Sequence, residues 1–178
     1  MSNDKSSEVD NLTRQILRSR ARLLARPHVL EQVRQIVLDL VEFKACGRRL
    51  AFETKFIDEA FSIKDISPVP QTSALVRGVT NVRGQIVTVI DLAVLFNLSP
   101  SGSQQSDGLI LRFGALRLAI CVDEVLGVRQ LDNSDLSQGF SGLSERLTEF
   151  ALALTADLLI ILDAKRIFTD GMIGQLAD

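Results

Sequence analysis

From about residue 35 onward, apolar and polar positions follow the rhythm of strands, cut at short intervals by glycine, proline and small polar residues. IVLDLVEFKA (36–45) is rich in β-branched residues, and Gly47 marks a turn into RRLAFET (48–54). FIDEAFSI (56–63) reads as a further strand, and ISPVPQTS (66–73), with Pro68 and Pro70, as a loop. ALVRGVTNVRGQIVTVIDL (74–92) holds two strands around a turn at Asn81–Gly84. Asp91 is placed to cap a short helix, LAVLF. The Ser/Gly-rich stretch SPSGSQQSDG (99–108) reads as a linker.

Strand patterning then resumes with LILRF (109–113), a turn at Gly114, LRLAICVDEV (116–125) and VRQL (128–131). Residues 132–145 predict a polar loop, ALALTADLLIILD (151–163) is again strand-like, and Asp163 opens a second short helix, AKRIF, before the chain frays after Gly171. Ahead of all this, residues 1–10 are polar and predict a disordered tail. Residues 11–26 carry Leu12, Ile16, Leu17, Leu23 and Leu24 at helical spacing and predict a helix, with Asn11 as cap and Pro27 as terminator.

The two stretches on either side of the linker resemble each other. IDEAFSI (57–63) matches VDEVLGV (122–128), Arg49-Leu50-Ala51 matches Arg117-Leu118-Ala119 after a glycine turn in each case, and IVTVIDLAVLF (86–96) matches LLIILDAKRIF (158–168). The chain therefore reads as a duplicated unit, with approximate halves 35–98 and 108–170 around a linker at 99–107. Each half is too small to bury its own apolar face, so the pair is expected to share one core, in small barrels rather than one open sheet. The duplication is unequal: opposite Asn81-Val82-Arg83-Gly84 stands Leu154-Thr155-Ala156-Asp157, which lacks the turn glycine and the arginine.

At 178 residues and 46% hydrophobic content the chain is long enough for a sizeable core. Its net charge of -2 gives the whole molecule no bias toward nucleic acid. The charge is uneven, however: residues 1–34 hold seven Lys/Arg against four Asp/Glu, which leaves an acidic body behind a basic arm. Arg14, Arg18, Arg20, Arg22 and Arg26 make the 11–26 segment basic. Docking on a protein, a merely solvated helix, and binding to nucleic acid or an anionic membrane are all open to it; the chain has no Trp or Tyr for base stacking. No N-terminal targeting signal or apolar span of membrane length is visible, so a cytoplasmic protein with no direct membrane insertion is expected.

Catalytic constellations are not found. The chain has one histidine, His28, beside Pro27, and its two cysteines, Cys46 and Cys121, sit in apolar strand-like runs without histidine neighbours, which predicts buried free thiols rather than a metal site. Phosphate-loop and nucleophile-elbow spacings are absent. The pairs Asp58-Glu59 and Asp123-Glu124 lie on strands, where neighbours point to opposite faces, so one member of each is expected in solvent. Neither an enzyme nor a bound cofactor is expected. Arg83 must point outward from its turn, and the residues alone leave a solvated arginine and a contact arginine equally open.

The run ALVRGVTNVRGQIVTVIDLAVLF (74–96) resembles the signature segment of CheW-like domains, the coupling proteins of bacterial chemotaxis arrays, and the likeness extends through FIDEAFSI, VDEVLGV and LLIILD across about residues 36–170. The resemblance implies a mainly β fold: two SH3-like five-stranded β-barrel subdomains around a shared hydrophobic core. It implies a non-enzymatic scaffold that couples the cytoplasmic tips of methyl-accepting chemoreceptors to the regulatory domain of a CheA-type histidine kinase, recruited to membrane-associated receptor arrays. A nucleic-acid-associated regulator acting through the basic helix is the alternative. Binding in the family depends on the strand matching Ile57 and Glu59 and on the turn matching Gly78, Arg83 and Gly84; Val128, taken as the duplicated mate of Ile63, also falls on a family binding strand. Three positions depart from the pattern: Thr88 stands where proline is usual, PQTSALV lacks a second proline, and ALALTAD replaces a segment that often carries glycine.

Overall fold

The computed structural model describes residues 37–100, 102, 107–137, 139, 140 and 142–170. The tail and helix expected over 1–26, and the end after Gly171, lie outside these residues.

Eleven strands among the described residues form two antiparallel-rich sheets. β1 (Val37–Ala45) and β2 (Arg48–Glu53) make a hairpin over Cys46–Gly47, both with positive φ, the backbone twist that suits a two-residue hairpin turn. A single 3₁₀ turn, Thr54–Phe56, leads to β3 (Ile57–Ser62). The second hairpin is β4 (Val76–Val82) with β5 (Gln85–Ile90). Across the linker come β6 (Asp107–Phe113), β7 (Leu116–Val122), β8 (Glu124–Asp132), β9 (Leu136–Ser137), β10 (Ala151–Thr155) and β11 (Ile160–Leu162).

One sheet has the order β8-β1-β2-β11-β10-β9 and the other β3-β6-β7-β5-β4. Each therefore has five principal strands, the first with the two-residue β9 added at its edge. Neither sheet is built from one half alone. The hairpin β1–β2 of the first half sits between β8 and β11 of the second, and the hairpin β6–β7 of the second sits between β3 and β5 of the first. The halves have exchanged their leading hairpins.

The register shows that the exchange follows the duplication. Ile161 lies beside Ala51 and Leu162 beside Phe52, as Val89 lies beside Ala119 and Ile90 beside Ile120. A constant spacing of 68 residues relates Phe43 to Leu111, Leu50 to Leu118 and Arg49 to Arg117. The same spacing carries into the next strand: Ile57 opposes Leu111 as Val125 opposes Phe43, and a bulge follows at once in both ladders. Ala60 then opposes Leu109 as Val128 opposes Val41. Val128 is thus the counterpart of Ala60, not of Ile63, and the similarity of IDEAFSI to VDEVLGV is out of step with the fold by three residues.

The two aspartates cap short helices as expected. In α1 (Leu92–Leu95) Asp91 accepts from the amides of Ala93 (2.8 Å) and Val94 (3.2 Å); in α3 (Ala164–Thr169) Asp163 accepts from Lys165 (2.9 Å) and Arg166 (3.3 Å). A third helix, α2 (Glu145–Phe150), capped by Ser144, follows the region expected to be a polar loop.

Three apolar clusters result. Val82, Val87, Val89, Ile110, Ala119 and Cys121 fill one barrel, and Leu40, Ala51, Leu131, Ala153, Leu159 and Ile161 the other. A larger cluster lies between them, where Phe43 stacks on Phe52 and Phe96 of α1's end meets Phe150 of α2 edge-on. Two SH3-like barrels around a shared core make up the described residues.

Candidate partner-binding surface

The β4–β5 hairpin ends in Arg83 and Gly84, at φ of 51° and 84°. Glycine meets that geometry freely, whereas arginine adopts it at some cost. The turn is held from within: the Asn81 side-chain oxygen accepts from the Gly84 amide at 2.8 Å, an Asx-type bond that explains the asparagine of Asn-Val-Arg-Gly. With its side chain 83% exposed, Arg83 stands out from the tip.

Its guanidinium pairs with Glu59 at 2.9 Å, so the turn and β3 are brought together. Glu59 also approaches Arg117 at 3.7 Å, while Asp58 takes Arg117 at 2.8 Å and Arg112 at 3.2 Å. Arg117 donates in addition to Gln85, directly after the turn of the same hairpin. A ladder of alternating charge thus runs Arg83, Glu59, Arg117, Asp58, Arg112 over one end of the barrel. Asp58 and Glu59 were expected on opposite faces. Asp58 is exposed and Glu59 half-buried, in keeping with that alternation, and Arg117 nevertheless reaches both carboxylates. A groove of about 510 Å³ lies alongside, lined by Glu59, Phe61, Lys64, Asp65, Thr80 and Arg83.

The remaining predicted residues fall elsewhere. Ile57 begins β3 half-buried against the shared core. Gly78 is buried at a bulge in β4, with φ of 148°; a Cβ there would lie 2.4 Å from the carbonyl oxygen of Ser67, whose amide and carbonyl both bond Val79 at 2.9 Å. It allows the loop after β3 to cross β4 and offers no side chain to a partner. Val128 lies on β8, an edge strand of the other sheet, and is 70% exposed, with Leu126 exposed nearby. Glu59, Arg83 and Gly84 therefore form one surface, Gly78 supports the strand beneath it, and Val128 belongs to a separate face.

The corresponding end of the second barrel carries its own ion network. Arg49 donates to Glu42 at 2.7 Å and to Asp157 at 3.2 Å, and Arg129 donates to Asp157 at 2.7 Å. Hydrogen bonds from Arg129 and then from the Thr155 hydroxyl hold the Asp157 carboxyl well below the usual carboxylate range. Arg49 and Arg117 are the positional mates found above. The repeated Arg-Leu-Ala thus marks the arginine that closes each barrel end, a role that sequence reasoning missed although the repeat was its signal. The hairpin tips differ in length: six residues join Thr80 to its partner Val87, three join Thr155 to Leu159. The second half lacks the whole projecting turn, not only its arginine and glycine.

Both cysteines are free; Cys121 is buried, and burial, aided by Asp91 and Asp123, pushes the Cys46 thiol up to about 11. Among the described residues no group of three or more His, Cys, Asp or Glu side chains is placed to hold a metal ion, and no helix is long and apolar enough to cross a membrane.

Comparison with known proteins places these features in a family. The family model of the CheW-like domain matches residues 39–172. The chemotaxis protein CheW of Thermotoga maritima is 29% identical over 137 residues, covering 74% of this chain and 88% of the relative. The chemotaxis protein CheW of Treponema pallidum is 26% identical over 147 residues, covering 78% and 86%. Among solved structures, the scaffolding protein TtCheW from Thermoanaerobacter tengcongensis superposes with a TM-score of 0.65 at 22% identity, over 77% of this chain and 91% of that one.

Proposed function

The chain belongs to the CheW-like domain family, and from that membership we propose that it is a non-enzymatic adapter of a chemosensory array, coupling the cytoplasmic tips of chemoreceptors to the regulatory domain of a CheA-type histidine kinase. The observation that carries this reading is the Arg83–Gly84 tip: a projecting, self-braced turn whose arginine is exposed yet oriented by Glu59. An ordinary solvated turn has no need of a carboxylate from β3, the strand at the opposite edge of the sheet. Glu59, Arg83 and Gly84 form the primary contact, Ile57 and Gly78 fix the strands that carry it, and Val128 marks a second contact on the other barrel. Two faces on two barrels suit a bridge between two partners, and many weak contacts of modest area gain strength when repeated in an array.

The test is Arg83→Glu. The side chain is so exposed that its ion pair contributes no more than about 1 kcal/mol to stability, so the melting temperature should move by only about 2 °C. Co-sedimentation with receptor and kinase should fall about tenfold in apparent affinity. Arg83→Ala serves as companion, because glutamate there would also face Glu59. Unchanged co-sedimentation of both folded variants would remove Arg83 from the contact.

A further inference from the structure

Four of the nine strand ladders among the described residues join one half of the chain to the other: β1–β8, β2–β11, β3–β6 and β5–β7. The ladders internal to a half are of one kind, pairing strands that follow each other in sequence. Within the first half, β1 pairs with β2 and β4 with β5, and no ladder connects these hairpins to each other or to β3. Alone, that half is two hairpins and a loose strand, and an isolated hairpin is marginal in water. The second half is little better off: β8 finds its partner in β1, and the β6–β7 and β10–β11 hairpins lie in different sheets with no ladder between them, each completed by strands of the first half.

We propose that each half is the obligatory binding partner of the other, and that the connection between them need not be covalent or within one molecule: the second half of one chain can be completed by the first half of a second copy, giving an interlocked dimer with the same ladders as the monomer. The covalent tie between Leu98 and Asp107 contributes by effective concentration alone. Exchange across it conserves the four ladders between the halves, the apolar cluster between the barrels, and the register of β2 on β11 and of β5 on β7. The partner is therefore a second copy of this chain, and the surface it fits is the open edges of the exchanged hairpins.

The test uses the full chain in two forms. In the first, a specific protease site replaces residues 102–105 and the folded protein is cut there. The halves should elute together as one particle, with a melting midpoint that has become concentration-dependent, falling by about 5 °C per tenfold dilution. In the second, chains carrying Phe43→Asp (first-half core) or Ile161→Asp (second-half core) are made singly and together. Each alone should be insoluble. Co-expression should give a soluble one-to-one complex, because the sound first half of one chain meets the sound second half of the other. Cut halves that separate while each stays folded, or co-expressed lesions that both remain insoluble, would overturn the proposal. Neither readout involves receptor or kinase, so the outcome is independent of the adapter reading.

Discussion

Asp157 is held by two arginines and a threonine hydroxyl, and its carboxyl is depressed well below the ordinary range. A group whose folded pKa lies below its unfolded value of about 4 stabilises the fold fully above that value and loses the contribution as pH falls toward the folded one. The side chain is 43% exposed, so water screens the gain to about 1 kcal/mol or less. Asp157→Asn should therefore lower the melting temperature slightly at pH 7. Between pH 5 and pH 2 it should lose less stability than the parent, so that the two acid-denaturation curves converge. Parallel curves over that interval would mean that the network does not depend on the charge. At this scale the sequence was informative where a residue's role follows from its own chemistry. Arg83, Gly84 and the capping aspartates were legible because turn and cap preferences are local. The exposure of Asp58 was legible from alternation as well, but the arginine it shares with Glu59 was not, because Arg117 comes from β7, far along the chain.

Between residue and molecule, the hairpin and its bulge set what the turn can do. Gly78 sits where the loop after β3 passes over β4, and a methyl group there would meet backbone atoms at 2.4 Å and 2.9 Å that cannot rotate away. Its φ of 148° adds strain for any other residue. Gly78→Ala should cost about 2–4 kcal/mol, seen as a lower urea midpoint. Loss of partner binding should follow from the fall in folded protein, in contrast to Arg83→Glu, which should leave the midpoint in place. A binding loss at unchanged midpoint would give Gly78 a direct contact that its burial denies it. Element identity was largely legible, since strands, glycine turns and capped helices announce themselves by pattern. Register was less so. The likeness of IDEAFSI to VDEVLGV aligns residues three positions away from those that the hydrogen-bond ladders equate, because two short apolar-acidic runs can match by composition alone. The ladders draw instead on the match of Arg49-Leu50-Ala51 to Arg117-Leu118-Ala119, carried forward without a gap. α2 went unseen because its six residues follow a polar stretch with little periodicity and depend on the tertiary site where Phe150 meets Phe96.

At the scale of the molecule, the exchange of hairpins makes the two barrels one cooperative body. Opening the first sheet alone would pull β1–β2 from β8 and β11, and would strip Phe43, Phe52 and Leu162 from the shared cluster that also seats Ile90, Leu109 and Ile120 of the second sheet. The second sheet would then keep a bared face, and β3 would remain tied to β2 through the three residues Thr54–Phe56. Partial unfolding by barrel exposes apolar surface on both sides of the break and recovers little chain entropy, because each half of the chain runs through both sheets. The most protected amides of β2, β5, β7 and β11 should consequently exchange with deuterium at one common free energy, equal to that of global unfolding in urea, and should show a common dependence on denaturant. An independent barrel would instead reveal itself as a group of amides confined to one sheet that opens at lower free energy and with a shallower denaturant slope. If the proposed adapter bridges partners on the two barrels, a pull on the Arg83 turn would pass through β5 to β7 and the shared core, and the load would meet the stability of the whole fold rather than of half of it.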